Sequence, residues 1–194
     1  PVNGHRADVF AAANLDADPQ LEVIALIHQQ PNTPANPLAN RLIIADWVNG
    51  TWVVNYSAAD QTTYNCGGNV GSGLGLDVAD LDGDGKPEIF YGNEIWTYSG
   101  NLAAPCDNCI TKRLDADRDA TALAFKGCTS SGSNSQGALS VVADVLEPTD
   151  CNGSRECDGP ELIVAGQVFS VDFAAPSMTL RKDVNTFGAG TTFG

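Results

Sequence analysis

Positive charge is what this sequence has least of. Ten lysines and arginines stand against 24 aspartates and glutamates, a formal net charge of −14. Nucleic acid and anionic membrane both call for a basic surface, so neither is an expected partner. Long apolar runs are also missing. None approaches the roughly 18 residues of a membrane-spanning helix, and no membrane insertion is expected. Histidine is limited to His5 and His28, which read as ordinary polar surface near the N-terminus and at a strand end. No GxSxG, HExxH or phosphate-binding loop occurs. Paired carboxylates occur only where a cation explains them, so no catalytic residue is assigned and the chain is not expected to be an enzyme. A helical apolar period is absent throughout. The chain opens at "PVNGHRADVF" with no leader in view, and is expected to be a mature or excised product.

What is present begins with six cysteines, Cys66, Cys106, Cys109, Cys128, Cys151 and Cys157. All lie among Gly, Asn, Asp, Ser and Pro, whereas buried free thiols favour apolar strands. This points to disulfides and to an oxidising compartment: secreted, extracellular or cell-surface. Cys151 and Cys157 bracket a short polar loop and are the expected pair; the remaining connectivity stays open. "PCDNC" places Cys106 and Cys109 in a CxxC, but no second CxxC or nearby His supports zinc. "NGT" at Asn49, "NYS" at Asn55 and "NGS" at Asn152 are glycosylation sequons, meaningful if the source glycosylates.

The organising feature is an internal repeat. "DVFAAANLDADPQLEVIAL", "GLDVADLDGDGKPEIFYG" and "LSVVADVLEPTDCNGSRECDGPELIVAG" share small and apolar alternation, an acidic loop, then an apolar run opened by Glu. Their first loop residues, Asn14, Asp80 and Asp144, are 66 and 64 residues apart. Each unit divides into four short β-branched or aromatic runs punctuated by Gly, Asn and Pro. In the first unit these are 8–15, 21–29, 41–48 and 51–58, with Asn49-Gly50 as a hairpin turn. The second has 75–81, 88–92, 94–99 and a weaker run near 111–116. The third has 139–145, 161–166, 168–174 and 178–184. The expected fold is all-β, three four-stranded antiparallel sheets over residues 1–68, 69–135 and 136–194. A four-stranded unit at this period is how a β-propeller blade reads, with a β-sandwich as the alternative. Propellers close with roughly four to eight blades, so three imply a segment of a larger propeller or assembly of copies through the exposed faces.

The acidic loops supply the chemistry. Calcium takes roughly six to eight oxygens, which a loop provides by converging alternate side chains on one point. In the second unit Asp80, Asp82 and Asp84 have that alternation, and Gly85 permits the bend. The Lys86 carbonyl follows, and Glu88 closes the set from the next strand. The flanking strands and the position of Glu88 exclude an EF-hand. Asp suits turns in its own right, but four carboxylates in nine residues repel one another without a cation. The first unit offers Asn14, Asp16, Asp18, the Gln20 carbonyl and Glu22 at the same spacing, with Pro19 in place of the glycine and a weaker site expected. In the third, an insertion carrying Cys151 and Cys157 separates Asp144 from Asp158 and Glu161. Either these three converge on a cation or the disulfide replaces it. A further run, Asp115, Asp117 and Asp119, lacks both glycine and closing acid and reads as a solvated strand end. Trp47, Trp52 and Trp96 suit either sugar stacking or packing between sheets.

"DLDGDGKPEI", "NLDADPQLEV" and the "FGAG" at Phe187 to Gly190 resemble the FG-GAP repeat, the integrin-α-like or VCBS type. The resemblance covers essentially the whole chain as three repeats. It implies an extracellular propeller with calcium between the first two strands of a blade. On that resemblance Asp80, Asp82, Asp84, Lys86 and Glu88 are ligands, as are Asn14, Asp16, Asp18, Gln20 and Glu22. The expected role is adhesion, protein or glycan binding, or building of a surface structure. Calcium acts as a staple at two sites, with a third site open at Asp144, Asp158 and Glu161. The alternative is a non-catalytic propeller portion of a secreted carbohydrate-active or other hydrolytic enzyme.

Overall fold

Alternation of apolar and polar side chains dictates strands whose two faces differ, and the chain folds accordingly. The structure is a computed structural model that describes residues 5–16, 18–29, 41–57, 75–92, 94–99, 101–115, 120–121, 140–147, 149, 159–164 and 166–183. Among these there are thirteen strands and no α-helix. The first unit holds β1 (His5–Ala13), β2 (Glu22–Gln29), β3 (Arg41–Val48) and β4 (Thr51–Ser57); the second holds β5 (Leu76–Ala79), β6 (Glu88–Tyr91), β7 (Glu94–Tyr98) and β8 (Asp107–Asp115). After the two-residue β9 (Ala120–Thr121) come β10 (Ser140–Ala143), β11 (Glu161–Val164), β12 (Gln167–Asp172) and β13 (Ser177–Asp183).

Within each unit, successive strands pair antiparallel as a meander. The β3–β4 turn has Asn49 at φ 50° and Gly50 at φ 84°, the left-handed pair that matches the twist of a tight hairpin. The expectation of three separate sheets needs correction. The first two meanders form one eight-stranded sheet, ordered β1-β2-β3-β4-β8-β7-β6-β5, through a parallel contact of β4 with β8. The Tyr56 amide donates to the Cys106 carbonyl at 2.9 Å across that seam. Both strands would otherwise be edges with unpaired backbone groups, and joining satisfies them. The third meander gains β9 alongside β13 in parallel, a strand too short to read from sequence. β8 is longer than expected and begins four residues earlier.

The eight-stranded sheet folds back on itself, so β5 lies beside β1 on one side and beside β10 on the other. The second meander is thus buried on both faces. Ile89, Trp96 and Ile110 pack toward Ile24, Leu42 and Ile44 of the first meander. Phe90, Ile95 and Leu114 pack toward Leu162, Phe169 and Met178 of the third. This explains why β6 is apolar without a break after Glu88: both of its faces are covered. The outer surface of the first meander exposes Phe10, Trp47 and Trp52, and the third meander exposes Val141.

Burial therefore differs sharply between two phenylalanines, 0% exposed for Phe90 and 74% for Phe10. Phe90→Ala is expected to lower unfolding free energy by about 3–5 kcal/mol, and Phe10→Ala by less than about 0.5 kcal/mol. Urea denaturation of both variants checks the assignment; equal losses would contradict this layering.

Candidate metal centres

Both acidic loops are curled by the same pair of Asp turns. In the second, the Asp84 amide donates to Asp82 Oδ1 at 3.0 Å and the Lys86 amide to Asp84 Oδ1 at 2.7 Å. In the first, the Asp18 amide donates to Asp16 Oδ1 at 2.8 Å and the Gln20 amide to Asp18 Oδ1 at 2.7 Å. These consecutive Asp turns curl each loop so that alternate carboxylates face one point. Gly83 and Gly85 have φ of 73° and 85°, the left-handed region where a Cβ would strain the bend.

The closing glutamate is the first residue of the following strand in each unit. Glu88 Oε2 accepts from the Leu81 amide at 2.9 Å, and Glu22 Oε2 accepts from the Leu15 amide at 2.5 Å. Leu15 and Leu81 are themselves buried, anchoring the loop to the core beneath. One carboxylate oxygen of each of Asp80, Asp82 and Glu88 lies within 4.8 Å of the others, and the same holds for Asp16, Asp18 and Glu22. Either trio could hold a metal ion; the expected ligand Asp84 lies outside the second trio, although its counterpart Asp18 belongs to the first.

One difference between the loops has a local cause. Asp80 Oδ2 accepts from the Gly85 amide at 2.9 Å. The residue in the corresponding place is Pro19, which has no N–H to give. Asn14 stands where Asp80 does, and its amide donates to the Asp18 carbonyl. An aspartate there would face a carbonyl with no donor to receive.

In the third unit Glu161 keeps the role but with a wider grip. Its Oε2 accepts from the amides of Val145 at 2.9 Å and Leu146 at 3.1 Å. Its Oε1 is buried without a hydrogen-bond partner, as is Glu22 Oε1. Asp144 is exposed, and among the described residues the third loop yields no converging carboxylate trio. Asp158 lies outside the described residues.

Electrostatics in the two trios are those of acids crowded together. Burial pushes the Glu88 carboxyl up to about 7, reinforced by Asp82, Asp84 and Asp80 and opposed by the Leu81 amide. Burial likewise raises Glu22, with Asp16, Asp46 and Asp18 adding and the Leu15 amide opposing. Asp46, on β3, was not picked out by the repeat; it is buried, raised first by that burial and then by Asp18 and Asp16, with the Trp47 amide opposing. Only the strand alternation Leu42, Ile44, Asp46, which puts a carboxylate on the buried face, marks it in the sequence. Tyr98 lies between the loops: burial raises its hydroxyl to about 12, followed by Asp16 and Glu22 of one loop and Asp84 of the other. It lines a cleft with Asn14 and Asp16 on one side and Gly85 and Lys86 on the other.

Other expected features fall differently. Cys106 and Cys109 are free thiols, correcting the disulfide reading for these two. The β4–β8 seam turns Cys109 inward, with its Sγ 3.7 Å from Asn55 Oδ1 and 3.4 Å from the Cys106 carbonyl. Burial, then hydrogen bonding and charge from Cys106, raise the Cys109 thiol to about 12. Cys66, Cys128, Cys151 and Cys157 lie outside the described residues, as do Asp117, Asp119 and the sequon at Asn152. The sequon at Asn55 is inaccessible in the fold: its side chain is buried and donates to the Leu102 carbonyl at 3.2 Å. Trp96 is core, whereas Trp47 and Trp52 form an exposed edge-to-face pair with ring centres 5.1 Å apart. No family model, curated protein or solved structure matches the chain.

A carboxyl raised in the folded state binds its proton more tightly there than in the unfolded chain. For Glu88 the resulting stability is full below its ordinary 4.5 and is lost as pH rises through about 7. In EDTA, the melting temperature is expected to fall between about pH 5 and about pH 8. A flat or rising metal-free profile in scanning fluorimetry would contradict the crowding of these acids.

Proposed function

We propose that the chain is a calcium-binding β-propeller module of the FG-GAP or VCBS type, working outside the cell. The observation that carries this reading is the repeated loop. Two loops 66 residues apart share the same Asp turns and the same glutamate-to-amide clasp, and in each the closing glutamate converges with two aspartates, Asp16 and Asp18 in one and Asp80 and Asp82 in the other. Chance enrichment of Asp in turns accounts for the turns; it leaves the convergence of a buried glutamate with two aspartates unexplained. Calcium suits oxygen-only sites of this kind, with the Lys86 and Gln20 carbonyls as further ligands. The adjacency of the first strands β1, β5 and β10 supports the blade reading, since blades are arranged with their first strands around a shared axis.

The cation acts here as a staple. It offsets the repulsion of acids that the fold forces together, and ties the first two strands of a blade at the junction with the next sheet. The exposed outer faces are where remaining blades, a copy of the chain, or a protein or glycan ligand would make contact. The Trp47–Trp52 pair favours an aromatic contact such as a glycan on that side. The function is accordingly adhesion, ligand binding or assembly of a surface structure, with no catalytic role for this chain.

Sites of this class bind in the range of about 0.1–1 mM, and each contributes about 1.4 kcal/mol at ten times its dissociation constant. Calcium at several millimolar is expected to raise the melting temperature over EDTA by roughly 5–10 °C for two sites, and Asp82→Asn to remove about half of that. Equal melting curves with calcium and with EDTA would refute the staple.

A further inference from the structure

We propose that Asp46 is the fourth carboxylate of the first cation site, supplied by β3 in place of the charge that Asn14 lacks. This rests on the calcium reading above and goes beyond the loop that defines it.

The geometry comes from strand register. β2 pairs with β3 through Val23 opposite Ala45 and Ile24 opposite Ile44, so one step further along the ladder Glu22 stands opposite Asp46. Cross-strand partners share a face, and here it is the buried one that carries Leu42 and Ile44. Asp46 is 1% exposed; the backbone amide of Trp47 lies close enough to favour its charged form, but neither carboxylate oxygen has a hydrogen-bond partner of good geometry. Glu22, directly across, is 0% exposed with its Oε1 equally unpartnered. Two buried carboxylates side by side, with three oxygens between them unsatisfied, are costly unless a cation stands nearby. Asp16 and Asp18, which converge with Glu22, are near enough to add to the charge that Asp46 feels.

The other units show what this position holds otherwise. The same step along β6–β7 sets Thr97 opposite Glu88, and along β11–β12 sets Ser170 opposite Glu161. Of these three positions across from the closing glutamate, only the one in the unit with Asn14 at the head of its loop holds a carboxylate. The second site counts Asp80, Asp82, Asp84 and Glu88; the first counts Asp16, Asp18, Glu22 and Asp46. Each therefore has three converging carboxylates and a fourth outside the trio, Asp84 in the second and Asp46 in the first. Asp46 lies outside the converging trio and acts by charge from behind it. The first site is then not the weaker one that the loop sequence predicts.

The test is calcium titration by calorimetry of the intact chain, its Asp46→Asn variant and its Asp82→Asn variant, with metal-free melting temperatures alongside. Asn preserves the shape of Asp46 and removes one charge. Asp46→Asn is expected to weaken one of two sites roughly tenfold while the other is unchanged, and Asp82→Asn to weaken the other. The metal-free melting temperature of Asp46→Asn is expected to rise, because a buried uncompensated charge is gone, while its calcium-induced gain shrinks. A merely structural Asp46 gives a different pattern: a lower melting temperature with two wild-type affinities, and that result overturns the proposal. A wild-type chain that takes up no calcium overturns the calcium reading itself, and this inference with it.

Discussion

Everything in this fold is arranged around a glutamate that opens a strand and reaches back to a loop amide. Glu22, Glu88 and Glu161 each occupy the first position of the second strand in their meander, and each accepts from the amide one or two residues after the loop begins. This bond sets the depth of the loop and seats a leucine in the core beneath it. It also commits a carboxylate to a place from which water is largely excluded. The remaining oxygen must then find a partner, and the aspartates of the loop supply more negative charge instead. A divalent cation resolves that conflict in the simplest way. In the first two units the clasp is local, closed over seven residues of chain, and it is repeated.

The sheets are held by a different force. The second meander is a slab with apolar side chains on both faces, and its neighbours bury it from either side. Glu22 lies at the end of the face of β2 turned toward the second meander and Glu88 at the end of the face of β6 turned toward the third, so the two acidic loops fall at junctions between meanders. Tyr98 illustrates the result, lying within the field of both loops at once. A cation at such a junction would stiffen the seam as well as the loop.

Much of this was legible in the sequence because it depends on short-range spacing. Alternating Asp residues, a bend and a glutamate at fixed distance specify a loop without reference to anything remote, and the strands around it follow from a period of two. What was not legible depended on register. Asp46 is one acid within "RLIIADWV", and nothing in that string says that it stands opposite Glu22. Asn55 reads as a glycosylation site until β4 buries it against Leu102. Cys109 reads as half of a disulfide until the β4–β8 seam turns it inward.

The sequence by itself determined the all-β class, the three meanders and the composition of the two loops, since each is encoded in periods and spacings of a few residues. The tertiary structure decided how the sheets join and which charges meet. Edge strands pair with whatever edge is presented to them, and a side chain's neighbours across a ladder are fixed by register and not by distance along the chain. For that reason the fourth acid beside the first loop comes from a strand that the loop's own sequence never mentions.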